Sequence, residues 1–240
     1  MVSSQKNPNS RQEDNFYSNY SLLVPYIAPY FAYVAIASLF SGLSPVLNYS
    51  IRIIVVSFLL WWFWRWYIPI TGSKSKIISI IVGVIFGIIG TILWILMLKP
   101  FVNNGAEPWD DLEILTRLIA SSLLVPIFEE LLMRGYVFRL TFQWSKERKN
   151  NKNALENALY EKSINDFEPG AWSVSAILVS TVAFTIGHHI IEFPAAIIYG
   201  ILMAFLWIYR KDMISCIVAH GTTNFTLGIY VCLTQQWELW

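Results

Sequence analysis

Long apolar stretches follow one another along most of this chain of 240 residues. Most of them approach the roughly 20 residues that an α-helix needs to cross about 30 Å of hydrocarbon. The composition agrees, because 55% of the residues are hydrophobic and only 14% are charged, which is typical of a membrane protein. The stretches lie near residues 21–42, 46–70, 77–98, 112–128, 172–187, 193–209 and 213–233. We therefore predict an all-α fold, a polytopic transmembrane helical bundle of about seven to eight spans.

The net charge is only +1, so we expect no nucleic-acid partner, but the cations are distributed unevenly between the predicted loops. If the polar N-terminus is cytoplasmic, alternation of the spans places most of the cations on that side. These cations are Lys74, Lys76, Lys146, Arg148, Lys149, Lys152, Lys162, Arg210 and Lys211. The opposite loop is acidic, with Glu107, Asp110 and Asp111, and Lys99 is the single exception. The positive-inside rule then predicts a cytoplasmic N-terminus.

Motif content divides the chain into three parts. We predict a polar N-terminal segment at 1–20, packing spans without a recognisable motif at 21–109, and a helical core that carries the candidate site at 110–240. The core contains the longest polar segment, 141–170, which has a weak helical pattern at 154–164. We interpret this segment as a solvated cytoplasmic loop beside anionic lipid, and favour that over a role in recruiting substrate.

Two adjacent carboxylates and an arginine interrupt one of the apolar helices. A charge near the bilayer centre costs at least about 2.5 to 3.5 kcal/mol, so each one needs a partner or a function. Glu130 and Arg134 lie four residues apart on one helix face, whereas Glu129 points about 100° away. We expect Arg134 to neutralise Glu130. Glu129 would then face the protein interior, where desolvation suits a carboxylate to general-base work on water.

A proline lies one turn before this pair of carboxylates. Pro126 removes a backbone hydrogen bond and can bend the helix, and Ser122 is placed to help satisfy the freed carbonyl. We expect such a bend to open a wet pocket beside Glu129.

The three histidines of the chain lie in two other apolar helices. Phe184 and His188 share a face of one helix, with His189 beside them, and His220 and Asn224 share a face of the last helix. A lone intramembrane histidine is more often a hydrogen-bonded structural residue than a ligand. The joint occurrence of these groups with a paired Glu-Glu favours a shared functional site.

These residues resemble the motif set of the CAAX-protease and bacteriocin-processing family of intramembrane proteases. The set consists of a Glu-Glu-x-x-x-Arg helix, a Phe-x-x-x-His helix and a His-x-x-x-Asn helix, in that order. All three are present without interruption, and the resemblance covers roughly residues 110–235. It implies proteolysis inside the bilayer, with the lipid bilayer and a membrane-associated polypeptide substrate as partners.

The resemblance also implies a role for each residue. Glu129 would activate water, His188 would assist in the site, and His220 and Asn224 would stabilise the oxyanion. The supporting residues would be Glu130, Arg134, Phe184 and His189.

The end of the chain resembles a narrower branch of that family. The segment from Ala219 through Tyr230 to Trp240 is similar to the branch that accompanies bacterial exosortase systems. This resemblance implies a multi-pass protein of the bacterial inner membrane with a functional link to an exosortase system.

Metal dependence stays open at this point. Glu129, His188 and His220 could hold one divalent metal such as zinc, with an open position for water. A metal-free glutamate mechanism uses the same residues. The chain has no His-Glu-x-x-His helix, so the commonest zinc-protease geometry is absent and we favour the metal-free route.

The candidate residues lie at different expected depths. Counted at about 1.5 Å per residue from the cytoplasmic ends, Glu129 and His220 fall about 12 to 14 Å deep, but His188 falls near 24 Å. We therefore expect the fifth span to begin outside the hydrocarbon and the site to lie in the inner half of the bilayer.

Two further functions use the same polar cluster. A non-catalytic immunity or scaffold protein could bind a peptide or a partner through it. A proton-coupled transporter could use the carboxylates and imidazoles as a relay, but no inverted repeat or paired broken helices occur, so we rank it last.

Overall fold

The computed structural model describes residues 17–102, 107–149 and 151–240, and within them every regular element is a helix. The predicted all-α fold is therefore confirmed, while most of the predicted N-terminal segment 1–20 lies outside the described residues. The α-helices are α1 (Asn19–Leu39), α2 (Pro45–Phe63), α3 (Lys76–Leu98), α4 (Asp111–Ile119), α5 (Val125–Glu130), α6 (Phe138–Glu147), α7 (Ala154–Tyr160), α8 (Val174–Ile186), α9 (Phe193–Arg210) and α10 (Met213–Thr234).

Helices α4, α5 and α6 form one continuous run, because two wide turns of π-helix join them. The first wide turn, Ala120–Leu124, comes just before Pro126, and the second is Leu131–Val137. A proline has no N–H for the i−4 carbonyl, and a π turn is one way for the chain to continue past it. The run extends to Glu147 and therefore includes the first residues of the polar segment predicted at 141–170. A short helix, α7, lies within that segment.

Five described helices are long and apolar enough to cross a membrane, which fits a multi-pass bundle. With the 3-10 turns that extend some of them, they are Asn19–Leu39, Pro45–Trp66, Lys76–Phe101, Ile190–Arg210 and Met213–Thr234. The predicted span at 112–128 corresponds to α4 and α5. The predicted span at 172–187 corresponds to α8, whose 13 residues extend only about 20 Å at 1.5 Å per residue.

Helix α10, which carries two of the predicted site residues, packs closely on α3 through glycines. A Cβ atom on Gly87 would lie 2.5 Å from the Cβ of Thr222, and one on Gly83 would lie 2.8 Å from the carbonyl oxygen of Ser215. The hydroxyl of Thr223 donates to the carbonyl of Gly87 over 2.9 Å. Small residues let helix backbones approach in this way inside a membrane. The contact fixes the position of α10 relative to the rest of the bundle.

The start of α1 is tied to the polar segment 141–170 by one buried asparagine. Asn19 is fully buried, and its side-chain amide donates to Gln143 over 2.6 Å and to the carbonyl of Ala158 over 2.7 Å. The hydroxyl of Tyr136 donates to the Asn19 carbonyl over 2.7 Å. Although Asn19 falls in the segment predicted to be polar, it is therefore an interior residue of the bundle.

The two ends of the bundle differ in chemistry. At one end, here called the basic end, α1, α3, α8 and α10 begin and α2, α6 and α9 finish, and Lys74 donates to the carbonyl of Tyr209. Other cations predicted to share one side, such as Lys146 and Lys211, lie at the same helix termini. At the opposite end, here called the distal end, the Trp109 and Trp240 ring centroids are 6.5 Å apart. Which end faces the cytoplasm stays a prediction.

Candidate active site

A cavity of about 420 Å³ is lined by residues of α1, α2, α3, α4, α5, α8, α9 and α10, and six of the predicted residues are among them. They are Glu129, Phe184, His188, His189, His220 and Asn224. The other two predicted residues, Glu130 and Arg134, are fully buried behind its wall. Three distant sequence motifs therefore meet at one place.

His220 lies between the two adjacent glutamates and contacts both. Its Nδ1 is 2.9 Å from Glu130 Oε1, and its Nε2 is 3.8 Å from Glu129 Oε2. Because a carboxylate accepts hydrogen bonds, Nδ1 is the donor in the shorter contact. The distance from Nε2 to Glu129 is longer than a hydrogen bond, which leaves both atoms facing the cavity. The His220 side chain is only 5% exposed, and that of Glu129 is 16% exposed.

The predicted pairing of Glu130 with Arg134 is present. Arg134 Nε is 3.3 Å from Glu130 Oε2, and both side chains are fully buried. The guanidinium also donates to the carbonyl of Gly200 over 3.2 Å and lies 5.6 Å from the centre of the Phe184 ring. Glu130 thus joins a buried cation on one side to the His220 imidazole on the other. This arrangement fixes the imidazole in one orientation toward Glu129.

The amide of Asn224 supports the wide turn before Pro126. Its Nδ2 donates to the carbonyl of Ser121 over 2.8 Å. Ser122 was expected to satisfy the freed carbonyl, and this expectation is wrong, because its buried hydroxyl has no hydrogen-bond partner among the described residues. The two helices meet closely here, since a Cβ on Gly221 would lie 2.6 Å from the Ser122 carbonyl oxygen. Asn224 still has a second N–H and lines the cavity.

His188 lies just beyond the last residue of α8. Its Nδ1 is 2.9 Å from the carbonyl of Phe184, so Nδ1 is the donor and, in the neutral ring, Nε2 is the acceptor. Its ring packs against Phe184 with centroids 4.5 Å apart and against Trp94 with centroids 5.4 Å apart. The neighbouring His189 is exposed at the cavity rim, and its backbone N–H donates to the Glu192 carboxylate over 2.9 Å.

The Phe184 ring separates the two cavity histidines. Its centroid is 4.5 Å from that of His188 and 6.1 Å from that of His220. His220 contacts both glutamates, whereas His188 lies further toward the distal end, as its greater expected depth implies. The described structure thus brings the histidines into one cavity without direct contact between them.

The cavity lining extends from a floor at His220 to a mouth near the distal end of the bundle. His220 is seven residues into α10, or about 10 Å from the basic end, so it lies on the cavity floor. The mouth is formed by residues near the distal helix ends, namely Tyr33, Ser38, Tyr49, Arg52, Arg117 and Trp240. The distance of His220 from the basic end is close to the depth expected for it, while the position of the site within the bilayer stays a prediction.

Several cavity residues lie in the part of the chain predicted to contain only packing spans. Tyr33, Arg52 and Trp94 come from α1, α2 and α3, and each lines the cavity. Arg52 could have been identified as a candidate from the sequence, because it is a charged residue inside the apolar stretch 46–70. Tyr33 and Trp94 could not have been identified in this way, since aromatic residues are common in membrane helices.

The donor set as placed does not form a three-ligand metal centre. Among the described residues, no group of three histidine, cysteine, aspartate or glutamate side chains is arranged to bind a metal ion. Because Nδ1 of His220 donates to Glu130, Nε2 is the ring nitrogen of His220 that could bind a metal, and the Phe184 ring packs beside both His188 and His220.

Comparison with known proteins identifies the part of the chain that builds the cavity floor. A search of curated proteins and a search of solved structures both returned no match. Residues 111–226 match the family model described as type II CAAX prenyl endopeptidase Rce1-like. This segment contains all eight predicted site residues, while the narrower exosortase-associated branch stays a prediction. Over residues 111–226, slightly less than half of the chain, this protein is therefore similar to the Rce1-like family of type II CAAX prenyl endopeptidases.

Proposed function

We propose that this protein is an active intramembrane endopeptidase that hydrolyses a peptide bond of a membrane-associated polypeptide. The observation that carries the proposal is the position of His220 between Glu129 and Glu130 on the floor of a cavity. The floor offers a carboxylate with no cation of its own beside an oriented imidazole. These two groups are suited to moving a proton to and from water.

Glu129 is the general base in this proposal. A water molecule hydrogen-bonded to Glu129 Oε2 and lying beside His220 Nε2 gives a proton to the carboxylate. The resulting hydroxide adds to the carbonyl carbon of the substrate and forms a tetrahedral intermediate. Glu130 cannot take this role, because its oxygens are engaged by Arg134 and by His220.

The other cavity residues act on the intermediate and on the leaving group. The oxyanion accepts a hydrogen bond from the second amide N–H of Asn224. His220 donates a second one through Nε2–H when its ring is the imidazolium, which carries a proton on both nitrogens, because the Nδ1 proton is already donated to Glu130. When the C–N bond breaks, the proton held by Glu129 passes to the leaving amine. His188 has a free Nε2 on the distal side of Phe184, where it can bind the substrate or the departing product.

The orientation and location follow from the charge pattern and remain part of the proposal. We place the protein in the bacterial inner membrane with the basic end, and hence the N-terminus, in the cytoplasm. Because the cavity mouth is at the distal end, substrates then enter from the opposite side of the membrane. Exported polypeptides handled by an exosortase system would satisfy that requirement.

The test is cleavage of candidate membrane polypeptides by the purified protein in lipid nanodiscs, with product masses measured by mass spectrometry. Wild-type protein, Glu129→Gln and a control, Glu156→Gln, are compared with and without a metal chelator. Glu156 is exposed on α7, far from the cavity. We expect cleavage by the wild type and the control, with and without chelator, and cleavage at least about 100-fold slower by Glu129→Gln. Equal cleavage by Glu129→Gln would remove it as the base, and loss of cleavage on chelation would overturn the metal-free route.

An intact biological phenotype in the Glu129→Gln strain would favour the non-catalytic alternative. A scaffold or immunity protein needs the shape of the cavity, which Glu129→Gln preserves. A protease needs the carboxylate.

A further inference from the structure

Two arginines line the mouth of the cavity, and the proposed chemistry does not use them. Arg52 extends from α2 and Arg117 from α4, and both are half-buried. We propose that Arg52 and Arg117 form a subsite that binds a carboxylate of the polypeptide substrate, at its C-terminus or on a side chain. This inference rests on the proposed protease function, and it assigns a specificity-determining role to residues outside the matched family motifs.

Aromatic rings hold both guanidinium groups in place. The Arg52 guanidinium carbon is 4.0 Å from the centre of the Tyr49 ring and 4.9 Å from that of Tyr33. The Arg117 guanidinium carbon is 4.5 Å from the ring centres of both Trp109 and Trp240. Stacking on aromatic faces orients a guanidinium and leaves its N–H edge free for a planar anion.

Neither arginine has a carboxylate partner among the described residues. Arg52 Nε donates to the side-chain oxygen of Asn48 over 2.7 Å, and its remaining N–H groups have no acceptor in the described part of the chain. By contrast, Arg134 and Arg210, which are buried, each pair with a carboxylate. A cation inside a membrane helix needs compensation. A bound anion supplies it, and a carboxylate matches the guanidinium fork.

The other charges of the cavity do not neutralise the two arginines. Glu129 is on the floor beside His220. Glu192 keeps its negative charge, because its carboxylate accepts only the neutral backbone N–H of His189, and it forms no ion pair with either arginine among the described residues. With two arginines and one carboxylate away from the floor, the upper part of the cavity lining has a net positive charge. A peptide that enters with an anionic group is attracted at the mouth, and its apolar part can continue inward.

A continuous set of contacts joins the mouth to the floor. The Tyr33 ring contacts the Arg52 guanidinium and also packs against Phe128, with ring centroids 5.2 Å apart. Phe128 precedes Glu129 in the chain. Because both arginines, Glu129 and His220 line this one cavity, one extended peptide can reach both sites, with its carboxylate at the arginines and a peptide bond beside Glu129 and His220.

The test measures binding separately from cleavage. A short fluorescent apolar peptide is prepared with a free C-terminal carboxylate, with a C-terminal amide, and with a C-terminal amide plus one internal aspartate. Binding to Glu129→Gln protein in neutral lipid nanodiscs is followed by fluorescence anisotropy, so that no peptide is consumed. We expect both acidic peptides, or one of them, to bind about tenfold more tightly than the neutral peptide, since charge-assisted hydrogen bonds contribute on that scale.

Arginine variants assign the preference to the subsite. Arg52→Gln and Arg117→Gln should each remove most of the preference, while Arg52→Lys should keep part of it because the charge remains. Arg65→Gln is the matched control, since Arg65 also stacks on a ring, that of Trp66 at 4.0 Å, but does not line the cavity. The control should leave the preference unchanged.

Equal affinity for the acidic and neutral peptides overturns the inference without any variant being needed. It is also overturned if adding phosphatidylglycerol to the nanodiscs abolishes the preference, because the arginines then bind lipid phosphate. A clear preference together with no cleavage by the wild type would count against the protease proposal alone. Cleavage without preference would count against the subsite alone.

Discussion

The floor and the mouth of the cavity are built in different ways. On the floor, the charged side chains of Glu130 and Arg134 are fully buried and paired, and they come from motifs with members four residues apart. At the mouth, Arg52 and Arg117 are half-buried and lack carboxylate partners among the described residues. The mouth residues come from helices that are far apart in sequence. The paired side chains of the floor therefore hold a fixed geometry, whereas the arginines of the mouth can bind an incoming anionic group.

The floor and the mouth also differ in where their residues lie along the sequence. Residues on the floor lie within the matched segment 111–226, to which the proposed hydrolysis is assigned. Residues at the mouth come partly from α1 and α2, outside that segment. Access and selection can therefore change without any change in the proposed catalytic residues.

The largest expected effect is on the floor, at Glu129. Glu129→Gln keeps the shape of the side chain but removes the base, so we expect kcat to fall roughly 10²- to 10⁴-fold. The thermal unfolding of the protein should not change, because the Glu130–Arg134 pair is intact. Product formation by mass spectrometry and unfolding by tryptophan fluorescence measure the two effects. A destabilised Glu129→Gln protein would mean that Glu129 is a structural residue.

The corresponding substitution of Glu130 should lower the stability of the protein. Glu130→Gln leaves the Arg134 charge buried without its counter-ion, and breaking such a pair costs about 3–5 kcal/mol. We expect a large drop in the unfolding temperature in detergent, and Glu129→Gln is the matched control. If both substitutions behave alike, the division of labour between the two glutamates is incorrect.

A smaller effect is expected where α10 packs on α3. In Gly87→Ala the new methyl group would lie 2.5 Å from Thr222 Cβ and 2.6 Å from the Ala219 carbonyl oxygen, and overpacking of this kind costs about 1–3 kcal/mol. Because α10 must shift, His220 moves and activity should fall more than stability does. Gly42→Ala is the control, since a Cβ there meets nothing within 4 Å. Unchanged activity in Gly87→Ala would show that the site tolerates movement of α10.

The smallest expected effect is at the mouth. Arg52→Gln should raise KM about tenfold for a substrate with a carboxylate and leave kcat nearly unchanged, because the floor is intact. Steady-state kinetics with an acidic and a neutral peptide separate the two parameters. A fall in kcat with constant KM would mean that Arg52 acts in the chemical step. The floor and the mouth would then not differ in their roles.

The sequence predicted the parts of the site that depend on helix periodicity. Spacing of four residues placed Glu130 against Arg134 and put His220 and Asn224 on one face, and the structure contains both arrangements. The contact of His220 with Glu130 was not predicted, because it joins α5 to α10 and depends on how the helices pack. The same reason applies to the distal opening of the cavity, which follows from the positions of all the helix ends. Catalytic roles of the residues stay predictions.

The wide turn at Ala120–Leu124 also determines which residues of this helical run face the cavity. Arg117 and Glu129 are twelve positions apart, which in a regular α-helix would leave them about 120° apart around the axis. A π turn accommodates one extra residue, and this rotates everything after it back by about 100°. Arg117 and Glu129 therefore come to within about 20° of each other, and both line the same cavity. The one additional residue in the wide turn therefore places Arg117, the proposed binding charge, and Glu129, the proposed base, on the same face of the helix.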